Sequence, residues 1–221
     1  PQGGAIVNQG ALQGSYVVLL APEVVNSGTI QAQGGQVALL AAQGARLQLD
    51  AGGLIDVKLD QTALASIQNS GVIQADGGRV LLQAAATTPG QLAVNQSGTV
   101  RANSIVNRNG EVWLDGGQGQ VQVQGQIQAQ GQAAGTVGGK VVVTGRDVVV
   151  SGLIDASGAQ GGGQVAVGGG AQGKDPSIAE ARTVTLAQGS EIKADATSQG
   201  AGGQVVVWSA DRTSLAGVVS S

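Results

Sequence analysis

Apolar and polar residues alternate along this chain in short paired bursts. Gly28-Thr29-Ile30-Gln31-Ala32 leads through the corner Gly34-Gly35 into Gln36-Val37-Ala38-Leu39, and the same order returns in Gly71-Val72-Ile73-Gln74-Ala75, Gly77-Gly78 and Arg79-Val80-Leu81-Leu82. Alternation with period two is the mark of a strand with one buried face, so the faces can be assigned. Ile30 and Ala32 point inward, followed by Val37 and Leu39. Their equivalents are Ile73 and Ala75 with Val80 and Leu82, Ile127 and Ala129 with Val141 and Val143, Ile154 and Ala156 with Val165 and Val167, and Ile192 and Ala194 with Val205 and Val207. Gln31, Gln74, Gln128 and Lys193 lie between them on a polar outer face.

Repetition at this length predicts a solenoid. The glycines before the first strand of each copy are Gly10, Gly28, Gly53, Gly71, Gly98, Gly125, Gly152, Gly189 and Gly217, at steps of 18, 25, 18, 27, 27, 27, 37 and 28 residues. A propeller blade needs about 40 residues and a helical repeat needs stripes of period 3.6. Neither is present, and the spacing fits one turn of a parallel β-helix. Nine marks predict roughly nine rungs, which at about 4.8 Å per strand spacing make a rod on the order of 40 Å long. The corners at Gly34-Gly35, Gly77-Gly78, Gly138-Gly139, Gly162-Gly163 and Gly202-Gly203 call for positive φ or close backbone approach.

Two stretches leave the pattern. Residues 60–67 carry a capping Asp60 and an i, i+3 apolar pair, Leu64 and Ile67, which predict one short helical excursion. The long step between Gly152 and Gly189 holds an inserted loop near 168–182, where Asp175-Pro176 suits either a helix start or a plain loop. Asn8 and Asn26 both stand two residues before their marker glycines. Their amides either form a short ladder along the axis, interrupted where Ala51 occupies the next rung, or serve as isolated turn asparagines.

Composition narrows the function. Among 221 residues there are 39 Gly, two Trp, one Tyr and no Phe, as expected for a narrow interior filled by stacked aliphatics. The absence of Cys, Met and His removes disulfides, thiol nucleophiles, cysteine–histidine metal sites and the usual neutral-pH base. A net charge of −3 gives no basic footprint for nucleic acid, and no apolar run reaches the length of a membrane span. The sequence opens at Pro1 and stops at Ser221 as another Gly-x-Val unit begins, so it reads as a segment of something longer.

The succession of residues 4–10 (Gly-Ala-Ile-Val-Asn-Gln-Gly), 73–80 (Ile-Gln-Ala-Asp-Gly-Gly-Arg-Val), 152–158 (Gly-Leu-Ile-Asp-Ala-Ser-Gly) and 202–209 (Gly-Gly-Gln-Val-Val-Val-Trp-Ser) resembles the filamentous haemagglutinin family, the large exoproteins of bacterial two-partner secretion. The resemblance covers essentially the whole chain. It implies a right-handed parallel β-helix, export through an outer-membrane pore partner, a secreted or cell-surface location, and adhesion to a host-cell or matrix glycan or protein receptor. The family's Asn-Pro secretion signature is missing, the prolines being Pro1, Pro22, Pro89 and Pro176, which places the segment downstream of the part that the pore recognises.

Parallel β-helices also include pectate lyases, whose chemistry needs clustered acids, or acids with Arg or Lys, in one outer groove. Asp50, Asp56 and Asp60 are the densest group, Asp56 and Asp60 sharing a strand face if the extended stretch continues that far, while Asp155 and Asp195 occupy outward positions with no second acid beside either at a consistent register. Solvated surface carboxylates are expected, with no catalytic residue, cofactor or metal. The Gly-Gly-x-Gly-x-Asp nonapeptide of calcium β-rolls does not occur, and Thr183-Val184-Thr185 stands alone where ice binding would need many such pairs. Trp113 and Trp208 alternate with inward valines and leucine and should face out, either as contact residues for sugars or a partner, or beneath a loop or neighbouring segment. The reading is an adhesin rod acting by avidity. The alternatives are a carbohydrate-active β-helix enzyme and a self-assembling extracellular filament subunit, and cut rung edges predict end-to-end self-association.

Overall fold

Short alternating strands with no helix between them can bury their apolar face only by stacking on their own repeats. The computed structural model, which describes residues 4–49, 55–106 and 108–221, shows that arrangement. Three parallel sheets run the length of the described chain. Sheet one stacks eight strands from Ala5–Asn8 to Arg212–Leu215, sheet two stacks eight from Ala11–Gln13 to Val218–Ser220, and sheet three stacks seven from Tyr16–Ala21 to Gln204–Val207. The fold is a parallel β-helix, with eight coils among the described residues.

The expectation of nine rungs fails at one mark. Gly53 lies outside the described residues, between Ala45–Leu49 and Ile55–Leu59, which pair antiparallel as a hairpin rather than joining the stack. The coils above and below it ignore the hairpin, since Glu23–Asn26 pairs directly with Ser66–Asn69 and the Ser66 N–H reaches the Pro22 carbonyl at 3.0 Å. The expected short helix at 60–67 is also absent. Thr62 makes a parallel bridge to Ala86, Leu64 is 73% exposed, and Ser66–Asn69 is a strand. One i, i+3 pair is worth a few tenths of a kcal/mol, less than two parallel neighbours offer an in-register strand. The loop near 168–182 is present, with one 3₁₀ turn at Ala171–Gly173. Asp175 starts no helix, and its carboxylate accepts hydrogen bonds from the Ser177 N–H (2.9 Å) and hydroxyl (2.6 Å).

Inward positions follow the alternation. Down sheet two, Leu12, Ile30, Ile73, Val100, Ile127, Ile154, Ile192 and Val219 stack in register, and the six central ones are fully buried. Val205 and Val207, near the C-terminal end, are only partly buried against this core. Each of the first six sheet-two strands starts just after the glycine column, where coils approach closely. A Cβ on Gly71 would stand 2.1 Å from the Gly28 carbonyl oxygen, and one on Gly98 would stand 2.1 Å from that of Gly71, so any other residue would force the coils apart. In the seventh coil the stacked position is Ser190 rather than Gly189: the Val218 N–H bonds to its carbonyl at 2.9 Å.

The final inward position of sheet one changes character along the rod. Asn8, Asn26, Asn69 and Gln96 occupy it in the first four coils, and Val123, Val150, Leu186 and Leu215 in the last four. The amides form a chain, Asn8 Nδ2 donating to Asn26 Oδ1, Asn26 to Asn69, and Asn69 to Gln96 Oε1, each at 2.7 Å. The expected interruption does not arise, because Asn26 pairs directly with Asn69; Ala51 lies outside the described residues.

Candidate functional site

Sheet three is where the coil is not simply polar outside. Ala38, Leu40 and Val142 point away from the interior by alternation and stand outside the interior core, yet all three are fully buried. A second layer covers them. The hairpin leaves after the strand Gln36–Ala41, and its Val57 lines one cleft with Leu81 of the outer face. The loop following Gln164–Val167 folds back over the same face further along, buries Ile178, and is pinned where the Thr144 hydroxyl donates to the Ala179 carbonyl at 2.5 Å.

Between these two excursions a cleft of about 440 Å³ remains open. Its floor is the outward row of two adjacent strands: Arg79, Leu81 and Gln83 from Arg79–Ala84, and Trp113 and Asp115 from Glu111–Asp115. Val57 lines one side, and Pro176, Ser177 and Ala179 the other. Register fixes the polar partners. Arg79 stands opposite Glu111 and its Nε is 3.0 Å from that carboxylate; Gln83 stands opposite Asp115 and donates to it at 3.3 Å. The Lys140 ammonium lies over the Trp113 ring, 4.8 Å from its centroid, and is not among the residues lining the cleft.

Asp115 is the perturbed group here. Burial raises its carboxyl above the ordinary 3.8, and this outweighs the opposing hydrogen bonds from the Gly117 N–H (2.9 Å) and Gln83. The nearest acid on the same strand face is Glu111, four residues away, which on an extended strand is about 13 Å. Paired-carboxylate hydrolysis needs about 5–10 Å, so the floor does not assemble such a pair.

The acids singled out by sequence are dispersed. Asp50 lies outside the described residues, as does the side chain of Asp56; Asp60 follows the hairpin, its N–H bonded to the Gly44 carbonyl at 2.9 Å. Asp155 is 9% exposed and accepts from Gln130 Nε2 at 2.5 Å and from the Ser157 N–H at 2.9 Å, while Asp195 accepts from the Ser220 hydroxyl at 2.8 Å. Both carboxylates serve corner geometry between coils. Among the described residues no three acids gather as a metal site.

The two tryptophans separate. Trp113 lines the cleft. Trp208 packs by the base of the loop, its ring near Gly169 and its indole N–H enclosed with no partner among the described residues. Sequence reading missed Arg79, Leu81, Gln83, Asp115 and Thr144, which are unremarkable one at a time. The available signal was the run Val37-Ala38-Leu39-Leu40-Ala41, apolar on both faces, which requires a covering layer on the outside.

No family profile and no curated protein matches the chain. Among solved structures it is similar to the HMW1 secretion domain from Haemophilus influenzae, with a TM-score of 0.76 and 24% identity over 100% of this chain and 67% of that one. The likeness extends through every coil, and with the sheet register it establishes the architecture as a parallel β-helix carrying excursions on one face.

Proposed function

We propose that this chain is a β-helical region of a bacterial two-partner secretion exoprotein of the filamentous haemagglutinin type, exported through an outer-membrane pore and acting at the cell surface as an adhesin rod. The observation that carries the reading is the end-to-end likeness to a secretion domain, covering all of this chain. The motif succession quoted above supports it independently of the fold. The likeness favours a place inside the exported protein's secretion-directing region over one downstream of it. A non-catalytic role agrees with the dispersal of the carboxylates and the absence of His and Cys. Multivalent attachment suits a rigid stack, because repeated weak contacts held at fixed spacing add through effective concentration.

The test is export followed by attachment. The exoprotein containing this chain, produced in a bacterium with an outer membrane, should become accessible to external protease only when its pore partner is present, and should increase cell attachment to epithelial or matrix-coated surfaces. Surface display without the pore would overturn the secretion assignment, and pore-dependent display without a gain in attachment would overturn the adhesin assignment.

A further inference from the structure

The cleft on sheet three pairs a flat apolar floor with a polar rail, and the rail carries both signs. Leu81 and the Trp113 ring supply the floor; Arg79 and Gln83 supply donors, and Asp115 and the Gln83 carbonyl supply acceptors. The Lys140 ammonium sits over the Trp113 ring without lining the cleft, a cation–π contact that favours one ring position before any ligand arrives. Among the described residues Arg79 pairs through its Nε with Glu111, a geometry that turns its terminal amino groups to other acceptors.

This arrangement discriminates among ligand classes. An anionic ligand would meet the Asp115 carboxylate, and a cationic one would meet Arg79. A wholly apolar ligand would strip water from the rail without replacing its hydrogen bonds, which costs free energy for each group left unpaired. A pyranose ring has an apolar C–H face and a rim of hydroxyls, each both donor and acceptor, so it satisfies floor and rail together. A volume of about 440 Å³ lies within the range of about 300–1,000 Å³ typical of small-molecule clefts. We infer that the cleft between the hairpin and the 168–182 loop binds a neutral saccharide, one ring stacked on Trp113 with its hydroxyls bonded to Arg79, Gln83 and Asp115. The assignment rests on the adhesin reading only in treating the cleft as a site that binds without reacting. The raised carboxyl of Asp115 adds to it, since a carboxylate short of solvent gains from hydroxyl donors.

The experiment is titration of the folded chain with maltose, cellobiose, lactose, mannobiose and di-N-acetylchitobiose, with glucuronate and glucosamine as charged controls. Binding is read by calorimetry and by the two indole N–H signals in NMR spectra. At least one neutral disaccharide should bind and shift the Trp113 signal while the Trp208 signal stays fixed. Trp113→Ala should weaken binding by about tenfold or more. Arg79→Ala and Gln83→Ala, at partly exposed positions that leave the core intact, should each weaken it by about threefold or more. Gln126→Ala on sheet two should leave it unchanged. Absence of binding to every neutral sugar, preference for a charged control, or binding indifferent to Trp113→Ala and Gln83→Ala would overturn the saccharide assignment and leave the export reading standing. Cleavage of a bound disaccharide would instead overturn the non-reacting role on which it rests.

Discussion

The first four coils and the last four solve one packing problem in two ways. At the last inward position of sheet one the N-terminal half stacks Asn8, Asn26, Asn69 and Gln96, and the C-terminal half stacks Val123, Val150, Leu186 and Leu215. The pairing shifts by one residue between Leu92 and Val94, but Val94–Gln96 then runs in step with Val121–Val123 through the change, so the slot itself does not select for polarity. What differs is dependence on neighbours. Each amide in the chain is satisfied by the coil beside it, at 2.7 Å throughout, whereas each aliphatic needs only a dry surface of about the right size. A hydrogen-bonded ladder therefore ties the identity of one coil to that of the next, and an aliphatic ladder does not.

The strongest perturbation tests what the halves share. Ile73→Asp places a charge between fully buried Ile30 and Val100 and should cost about 4 kcal/mol or more, while Gln74→Asp, one residue along on the outer face, should cost less than about 1 kcal/mol. Urea unfolding measures both, and equal midpoints would disprove the assignment of faces. Next in size is Asn26→Ala, which leaves the Asn8 amide without its acceptor and the Asn69 carbonyl without its donor. It should cost about 2–4 kcal/mol, against about 1–2 kcal/mol for Val150→Ala at the equivalent place. Similar losses at both positions would show that the amide chain adds no coupling.

A double-mutant cycle sharpens the comparison. Val150→Asn alone buries a lone amide and should cost about 1–3 kcal/mol. Val123→Asn together with Val150→Asn extends the chain from Gln96, so the pair should cost less than the sum of the singles by roughly 0.5–1 kcal/mol. Strict additivity would count against a transferable ladder.

The smallest effect lies outside the core, at Asp115 in the fourth coil. Its carboxyl is held above 3.8 in the folded chain, so ionisation opposes folding. The penalty is absent below about pH 4, where folded and unfolded chains are both protonated, and is complete once pH exceeds the raised value. Asp115→Asn should therefore raise the melting temperature relative to the parent at pH 7, with the difference shrinking toward pH 4. A difference independent of pH would remove burial as the cause.

The interior was legible because the signal is local. Ile30, Ile73, Ile127, Ile154 and Ile192 each sit in a three-residue strand whose two faces are told apart by alternation alone, and all five are fully buried. The coil count was less legible, since Ala45–Leu49 and Ile55–Leu59 alternate like coil strands and only pairing direction separates a hairpin from a coil. That misreading also hid the continuity of the amide ladder from Asn26 to Asn69. Of the two tryptophans assigned outward, Trp113 lines the cleft and Trp208 lies by the base of the loop, a difference decided by where the inserted chain folds back. The cleft as a whole depends on segments far apart in sequence, Val57 lining it with Leu81 and Thr144 bonding to Ala179, which no local pattern encodes.

The hairpin leaves the second coil and returns to the third without disturbing a single rung-to-rung bond between Glu23–Asn26 and Ser66–Asn69. Its length and sequence are thereby uncoupled from the stack. The same separation holds for the loop near 168–182, where Asp147–Val150 pairs with Thr183–Leu186 across it. Insertions, deletions and drift in these two segments can reshape the walls of the cleft while its floor stays on a fixed lattice. The rod is in this respect an evolvable scaffold, able to diversify what it recognises without renegotiating how it folds.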